Sequence, residues 1–521
     1  MNTTERDEGF GRAMVCDDSL VHPSANGSTV LRMSVRAPLA RVGAAMIDRA
    51  IRSRALGGEH GRCFAFRVGA ARTLRRLDRH TNTRIDPSRA GRALLAAAPH
   101  ALGTLAGRLP GGCVLVSATN GKTTTTNLLA EIVRSAGGDP VVNHLGANMP
   151  GGVCAELIGR SHRGAVRADL GVFEADELWL EHMVGPLAPR VIVLGNLFRD
   201  QLDRMGEIDR VAARWRLCVE GLPSSTVLVV NADDPRVCQL AAAHPTVVHV
   251  GLADHDRMAP LVGTDVPDCL HCGATLTYHG AHVGHLGQWS CPTCGDRRPP
   301  WPTIEASDVT VHGLRGASFL LTMRATPAGA EVSERVQLSV PGRFNVANAT
   351  AAAGAAIALG YPVSAIAGGL SRSPGAFGRS ERLHIGDHVL TLVLAKNPCG
   401  FDEVINMLES EPGPLELLFV LNDRDLDGRD VSWIWDSDVE RLAPHVATAT
   451  CGGSRAAEAA LRLDYAGVDA SVIEVADGIV EPLRRAMQRA SGPVVAITNY
   501  SAMLDLRETI AEHGHAARYW W

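Results

Sequence analysis

Val114-Leu115-Val116-Ser117-Ala118-Thr119-Asn120-Gly121-Lys122-Thr123-Thr124-Thr125-Thr126 is the stretch whose reading decides the fold. Its apolar start predicts a buried strand, Thr119-Asn120-Gly121 a turn, and Lys122 onward a helix running through Asn127 to Val133. Such a helix N-terminus, with unpaired backbone N–H groups and an ammonium beside a threonine hydroxyl, suits a nucleotide's phosphates and their Mg²⁺. The general Gly-x-x-x-x-Gly-Lys-Ser/Thr pattern places glycine at position 116, where this chain has Val116. The competing reading is a chance Gly-Lys-Thr at a helix cap. Against it stand the strand in front and the use of lysine: of 51 basic residues only Lys122 and Lys396 are lysines. A compact ammonium fits between phosphate oxygens where a planar guanidinium does not.

Working outward, 521 residues exceed what one core usually serves, so two to four domains are expected. A 46% hydrophobic, 21% charged composition belongs to a globular protein, and a net charge of −5 gives no basic footprint for nucleic acid. No apolar run reaches membrane-spanning length and no signal peptide opens the chain, which predicts a cytoplasmic protein. Twelve cysteines are many. Four fall in a metal pattern, and the scatter of the other eight suits a reducing compartment better than a disulfide framework.

Residues 1–38 are polar and aperiodic and read as a flexible extension. Residues 39–110 form a helical and loop segment, opening with an amphipathic stretch from Leu39 to Arg54 that fits a helix packed on the protein better than one lying on a membrane. Residues 111–382 form the central domain. After the phosphate loop come a Gly/Asn/Pro-rich loop at Asn143–Gly152 and a strand at Leu170–Phe173 that runs into Glu174-Ala175-Asp176-Glu177. Strand-end carboxylates near a phosphate loop are where Mg²⁺ ligands gather, and Glu174 is the candidate over a merely solvated helix start. Further strands at Val191–Gly195 and Ser225–Val230, with helical spans between, predict a parallel, helix-covered sheet.

Cys269-x2-Cys272 and Cys291-x2-Cys294, with eighteen residues between the inner pair, fit four thiolates closing a tetrahedral Zn²⁺ site in an insertion at about 265–300. Thr275–Tyr278 and Trp289–Ser290 read as its short strands. A closed four-sulfur site leaves no position for substrate and is structural. His271 and His279 are alternative ligands. From Val340 an alanine-rich helix runs to Leu359, with Asn345 and Asn348 on one face either as ligands or as caps. From 383 to 521 a second alternating series, with strands at 388–394, 415–421, 446–450, 471–475 and 493–498, predicts a separate Rossmann-like α/β domain. Its first strand ends at Lys396-Asn397-Pro398. Its second ends at Asn422–Asp436, where five aspartates and two tryptophans suit an interface or active site better than a wet loop.

In order, Ala118–Thr124, Glu174, Asn196–Gly206, Asn231–Pro235 and Gly342–Asn348 resemble the central domain of the Mur ligases. Those enzymes use ATP to convert a carboxylate into an acyl phosphate that an amine attacks. The cysteine insertion, Asp200–Arg204, Lys396-Asn397-Pro398 and Asp427–Trp433 narrow the resemblance to the branch that supplies the synthetase subunit of lipid II isoglutaminyl synthase. The resemblance implies that Asn120, Gly121, Lys122, Thr123 and Thr124 hold the ATP phosphates, that Thr123 and Glu174 ligand Mg²⁺, that Asn345 and Asn348 sit by the nucleotide, and that Arg379 reaches toward its phosphates. It implies as substrate the D-glutamate α-carboxylate of lipid II, at the inner face of the membrane, with ammonia from a separate GatD-type class I glutaminase. Asp430, then Asp436, would complete that partner's Cys-His pair. No Gly-x-Cys-x-Gly elbow surrounds Cys399 or Cys451, so the chain is not expected to release ammonia itself. Ala118 replaces the usual glycine and Gln201 a frequent metal-binding histidine, and no lysine between 122 and 396 offers the carbamylated ligand of a second Mg²⁺. The alternative function is a stand-alone amino-acid ligase of the Mur or folylpolyglutamate type.

Overall fold

In the computed structural model, residues 62–516 are described apart from 81–85, 87, 144–146, 163–164, 201–207, 254–263, 325–328, 374–379 and 426. The expected N-terminal extension, the Leu39–Arg54 helix, Gln201–Gly206 and Arg379 lie outside the described residues.

Alternate residues of strand β1 (Cys113–Ser117) feed two different cores, since a strand sends successive side chains to opposite faces. Leu115 joins Phe173 and Trp215 on one side, together with Phe64, Leu94 and Leu102 of the helices Arg62–His80, Arg89–Ala97 and Ala101–Ala106. Val114 and Val116 join Leu129, Ile366 and Ala353 on the other, under the helices Lys122–Ser135, Arg343–Ala358 and Val363–Arg372. A sheet covered on both faces needs apolar residues at every position, which is why its strands read as continuous apolar runs.

Chain order gives β2 (Pro140–Val142), a two-residue pair β3 (Ser161–His162) and β4 (Ala165–Val166), β5 (Leu170–Glu174), β6 (Val191–Leu194), β7 (Val227–Asn231) and β8 (Val247–Leu252). The cysteine ribbon supplies β9 (Thr277–Val283) and β10 (Leu286–Ser290), and the chain returns as β11 (Ile304–Val311), β12 (Ala317–Met323) and β13 (Val332–Leu338). The sheet order is β13-β12-β11-β8-β7-β6-β1-β5-β2. Pairing is parallel from β11 through β2, while β12 and β13 add an antiparallel edge. β5 and β6 flank β1 on opposite sides, so β1 ends at the topological switch point where ligands settle on such sheets.

β11–β13 were not anticipated. Residues 332–335 of β13 are exposed or half-buried and largely polar, so an edge strand here lacks the apolar run that marks its neighbours. The ribbon strands are longer than the expected Thr275–Tyr278 and Trp289–Ser290. A second sheet orders β14 (Glu381–Ile385), β15 (His388–Leu394), β16 (Leu415–Val420), β17 (Val446–Gly452), β18 (Ile473–Val475) and β19 (Val494–Thr498) as β14-β15-β19-β16-β17-β18, parallel except for β14. The expected strand 471–475 is shortened to β18 because Ala470–Val472 turns as a 3-10 helix capped by Asp469. Among the described residues no helix is long and apolar enough to cross a membrane.

Candidate active site

Gly121 caps the helix Lys122–Ser135 in the left-handed region, at φ +89°. A Cβ there would lie 2.0 Å from Asn348 Oδ1, so only glycine lets the loop pass under the Asn348 amide. Asn196, just past β6, holds the next peptide at both ends: the Asn120 N–H donates to its Oδ1 at 2.9 Å, and its Nδ2 donates to the Asn120 carbonyl at 3.0 Å. The loop is thus shaped before any ligand arrives.

Lys122 Nζ donates to the carbonyls of Ala118 at 2.5 Å and Thr119 at 3.3 Å and to Glu177 Oε1 at 2.9 Å. Burial pulls its pKa down, but Glu177, Asp176 and Glu174 outweigh that and hold it above the ordinary value. For Glu177 burial wins and pushes the carboxyl up, despite Lys122 and Lys396. Thr123 Oγ1 donates to Glu174 Oε2 at 2.6 Å, so a hydroxyl and a carboxylate meet at the end of β5. Asn143 fixes the Glu174 backbone in both directions, accepting from its N–H at 2.8 Å and donating to its carbonyl at 2.9 Å. Thr124 is buried one residue further on. Asn345 and Asn348 are buried and linked, Asn348 Nδ2 to Asn345 Oδ1 at 3.0 Å, while Asn345 Nδ2 donates to the Pro341 carbonyl at 2.6 Å.

The end of β15 closes over this loop. Lys396 pairs with Asp200, whose second oxygen has no hydrogen-bond partner among the described residues. Asn120 and Asn397 exchange amide hydrogen bonds at 3.2 and 3.3 Å. Between the two sheets lies a cleft of about 890 Å³ including its open mouth, walled by Asn120, Gly121, Asn348, Phe344, Lys396 and the ribbon's Leu286, among others.

The sulfurs of Cys269, Cys272, Cys291 and Cys294 all lie within 4.8 Å of one another, with Cys269–Cys294 at 3.7 Å and Cys272–Cys291 at 3.5 Å. Four thiolates about 2.3 Å from one Zn²⁺ require similar separations, so the cluster fits that ion. His271 instead faces Asp296 at 3.5 Å and His279 bonds the Ser290 hydroxyl at 2.9 Å, which leaves the cysteines as the ligand set.

A family profile described as the Mur ligase middle domain matches residues 116–266, and one described as MurT ligase C-terminal matches 394–503. The chain is similar to the lipid II isoglutaminyl synthase (glutamine-hydrolyzing) subunit MurT of Streptococcus pneumoniae, with 31% identity over 76% of this chain and 87% of the relative. Its counterpart from Staphylococcus aureus strain COL is 30% identical over 76% of this chain and 86% of its own. This chain belongs to the MurT family of Mur ligases. Solved structures agree on the fold. MurF from Acinetobacter baumannii superposes with a TM-score of 0.57 at 17% identity, covering 84% of this chain and 81% of that one. A pseudomurein peptide ligase from Methanothermus fervidus reaches 0.56 at 22% identity, covering 77% and 79%. The Mur ligase family is one of ATP-dependent ligases that use Mg²⁺.

The MurT-type C-terminal match contains the aspartate-rich loop, whose members the structure separates. Asp427 is buried and bonded to the Ser501 N–H at 2.8 Å and to its hydroxyl, so it ties the loop to the helix Tyr500–Glu512. Asp423 binds Ser454 and Arg455. Asp430 and Asp436 are exposed and line no part of the cleft. Hydrogen bonds from Ser432 hold Asp430 below the usual carboxylate range. Sequence reasoning missed Asn143, Glu177, Asn196 and Asn397 as members of the site. Each stood in a stretch already marked, Glu177 among the strand-end carboxylates, Asn196 at the head of Asn196–Gly206, Asn143 opening the loop to Gly152 and Asn397 beside one of two lysines, but none was singled out for a role.

Proposed function

We propose that this chain is the synthetase subunit of a lipid II isoglutaminyl synthase, converting the D-glutamate α-carboxylate of lipid II to D-isoglutamine at the inner face of the membrane. The carrying observation is that Asn120 and Gly121, the loop residues next to the Lys122–Glu177 and Thr123–Glu174 pairs, line one cleft together with Lys396, while Asn120 also bonds Asn397 from the C-terminal half. Phosphates suit the helix N-terminus at Gly121–Thr124, and the apolar wall with Asn345 and Asn348 suits the base. The Thr123 hydroxyl, the Glu174 carboxylate and the unpaired oxygen of Asp200 are hard donors that fit Mg²⁺, which when bound offsets charge on the transferring phosphoryl group. Lys122 and Lys396 add two ammonium groups to that task. Arg379 is a further candidate for the phosphates. The C-terminal sheet, held down through Asn397, keeps water from the acyl phosphate until ammonia attacks its carbonyl carbon and phosphate leaves. The cysteine cluster holds a structural zinc.

Ammonia comes from a GatD-type glutaminase partner. Burial pushes Cys113, Cys154, Cys238 and Cys451 up to about 12, Cys218 up to about 11 and Cys399 well above the thiol range, so none of these six supplies a thiolate nucleophile. Asp430, exposed and ionised, is the first candidate to orient the partner's imidazole, and Asp436 the second.

The test is turnover of the full chain with its glutaminase, ATP, glutamine and lipid II, read by phosphate release and product mass. Amidation exchanges a hydroxyl for an amine and adds no residue, whereas a stand-alone ligase would add one. Phosphate release that persists unchanged in Lys122→Ala would refute the reading.

A further inference from the structure

The cysteine ribbon reaches the cleft through the turn joining β9 to β10, Val283-Gly284-His285-Leu286, whose Val283 and Leu286 side chains form part of its wall. Its base is clamped to the end of β7. Trp289 Nε1 donates to the Ala232 carbonyl at 3.0 Å, the Gly287 N–H to the Asp233 carbonyl at 2.9 Å, and Arg298 Nε to Asp233 Oδ1 at 2.7 Å. The turn therefore cannot shift independently of the sheet. Along the same cleft wall it touches the C-terminal half, whose Cys399 and Glu403 also line the cleft: the Gly284 N–H donates to Glu403 Oε1 at 3.2 Å, and a Cβ on Gly284, at φ +55°, would stand 2.6 Å from Cys399 Sγ. Both partners lie on the helix Pro398–Leu408, which Asn397 caps. Toward the phosphate loop, the His285 ring meets Phe198 edge-on at 5.0 Å, and the Phe198 N–H donates to Thr119 Oγ1 at 3.0 Å.

An insertion serving only its own stability has no need of a methyl-free contact with a helix more than a hundred residues away in sequence. We propose that the 283–286 turn is the seat on which the C-terminal half closes, so that the ribbon sets the width of the nucleotide cleft. Gly284 and Glu403 are then positioning residues, acting through the placement of Lys396 and Asn397. This rests on the nucleotide reading above.

The experiment titrates the full-length, zinc-loaded chain with an unhydrolysable ATP analogue and Mg²⁺ by calorimetry, with zinc content and melting temperature measured on every variant. Gly284→Val should weaken binding about tenfold while keeping its zinc, because the added side chain meets Cys399 and Phe198 and a β-branched residue strains the turn at φ +55°. Adding Cys399→Ala should recover at least half of that loss. Glu403→Ala should weaken binding about fivefold and Glu403→Gln by less than about twofold, since the amide oxygen still accepts from Gly284. Wild-type affinity in both Gly284→Val and Glu403→Ala would overturn the seat. If Gly284→Val does not fold, the Glu403 pair decides: equal affinities for Ala and Gln overturn the proposal, and rescue by Gln supports it. Failure of the wild-type chain to bind the analogue would instead overturn the nucleotide reading, and the seat with it.

Discussion

Lys122 directs all its donors inward, and this makes it a structural ion beside the phosphate role proposed for it. Removing one member of a buried pair leaves an uncompensated charge, at a cost of about 3–5 kcal/mol. Lys122→Ala should therefore lower the melting temperature as well as ATP-dependent phosphate release by at least about a hundredfold. Lys122→Ala combined with Glu177→Gln should recover most of the melting temperature and none of the turnover, separating the two roles. Glu403 gives a pH signature. Burial raises its carboxyl from 4.5 to about 7, so on raising the pH the unfolded chain gives up its proton first. Its contribution to stability is complete below about pH 4.5 and is lost as pH rises through about 7. Asp402 and Asp234, both raised from 3.8 to about 6 by burial, lose stability in the same direction over about pH 4 to 6, so Glu403→Gln should flatten the melting temperature chiefly between about pH 6 and 7.

Among the elements, the phosphate-loop helix and the ribbon differ in what holds them. The helix Lys122–Ser135 buries Leu128, Leu129, Ile132 and Val133 against the sheet and would persist without any ligand. The ribbon has only a small core of Val266, Leu276 and Trp289 around its cysteines, too little to order a hairpin unaided. Cys291→Ser should lose the metal and raise amide exchange across β9 and β10, while β1, β5 and β6 stay protected. Exchange mass spectrometry reads both. Both elements were legible in the sequence because each signal is local: a helix start after an apolar strand, and paired cysteines at knuckle spacing. β12 and β13 were not, since an antiparallel edge gains its stability from its neighbour in space.

Across the whole molecule, the two halves meet through polar contacts such as Asn120–Asn397 and Leu314 N–H to Glu411, and through the Leu314 side chain, which packs against the C-terminal core. Asn397 both caps its helix, accepting from the Gly400 N–H at 2.9 Å, and pairs with Asn120. Asn397→Asp keeps the cap but loses the donor to Asn120. The expected outcome is a melting temperature near wild type with a KM for ATP raised about fivefold, whereas Asn397→Ala should also lose about 1 kcal/mol of helix stability. Steady-state kinetics beside thermal melts distinguishes the two. Of the site, Lys122, Thr123, Glu174 and the two asparagines at 345 and 348 could be read from the chain because their chemistry is tied to a strand end or a helix start. Glu177, Asn143 and Asn196 stood in marked stretches, but their partners could not be read, because nothing in a linear pattern says which strand end faces which.

The sequence by itself marked the strand–turn–helix at 114–133, the paired cysteine knuckles and two helix-covered, mainly parallel sheets, since turn chemistry, ligand spacing and apolar runs act over a few residues; its place among the Mur ligases was read from resemblance. Only the tertiary structure decided that Glu177 neutralises Lys122 while Glu174 meets Thr123, that Asp427 is a buried staple while Asp430 faces solvent, and that the ribbon touches the C-terminal half. Hydrogen bonds and ion pairs form over about 3 Å, and strand order and helix packing choose which distant residues come that close.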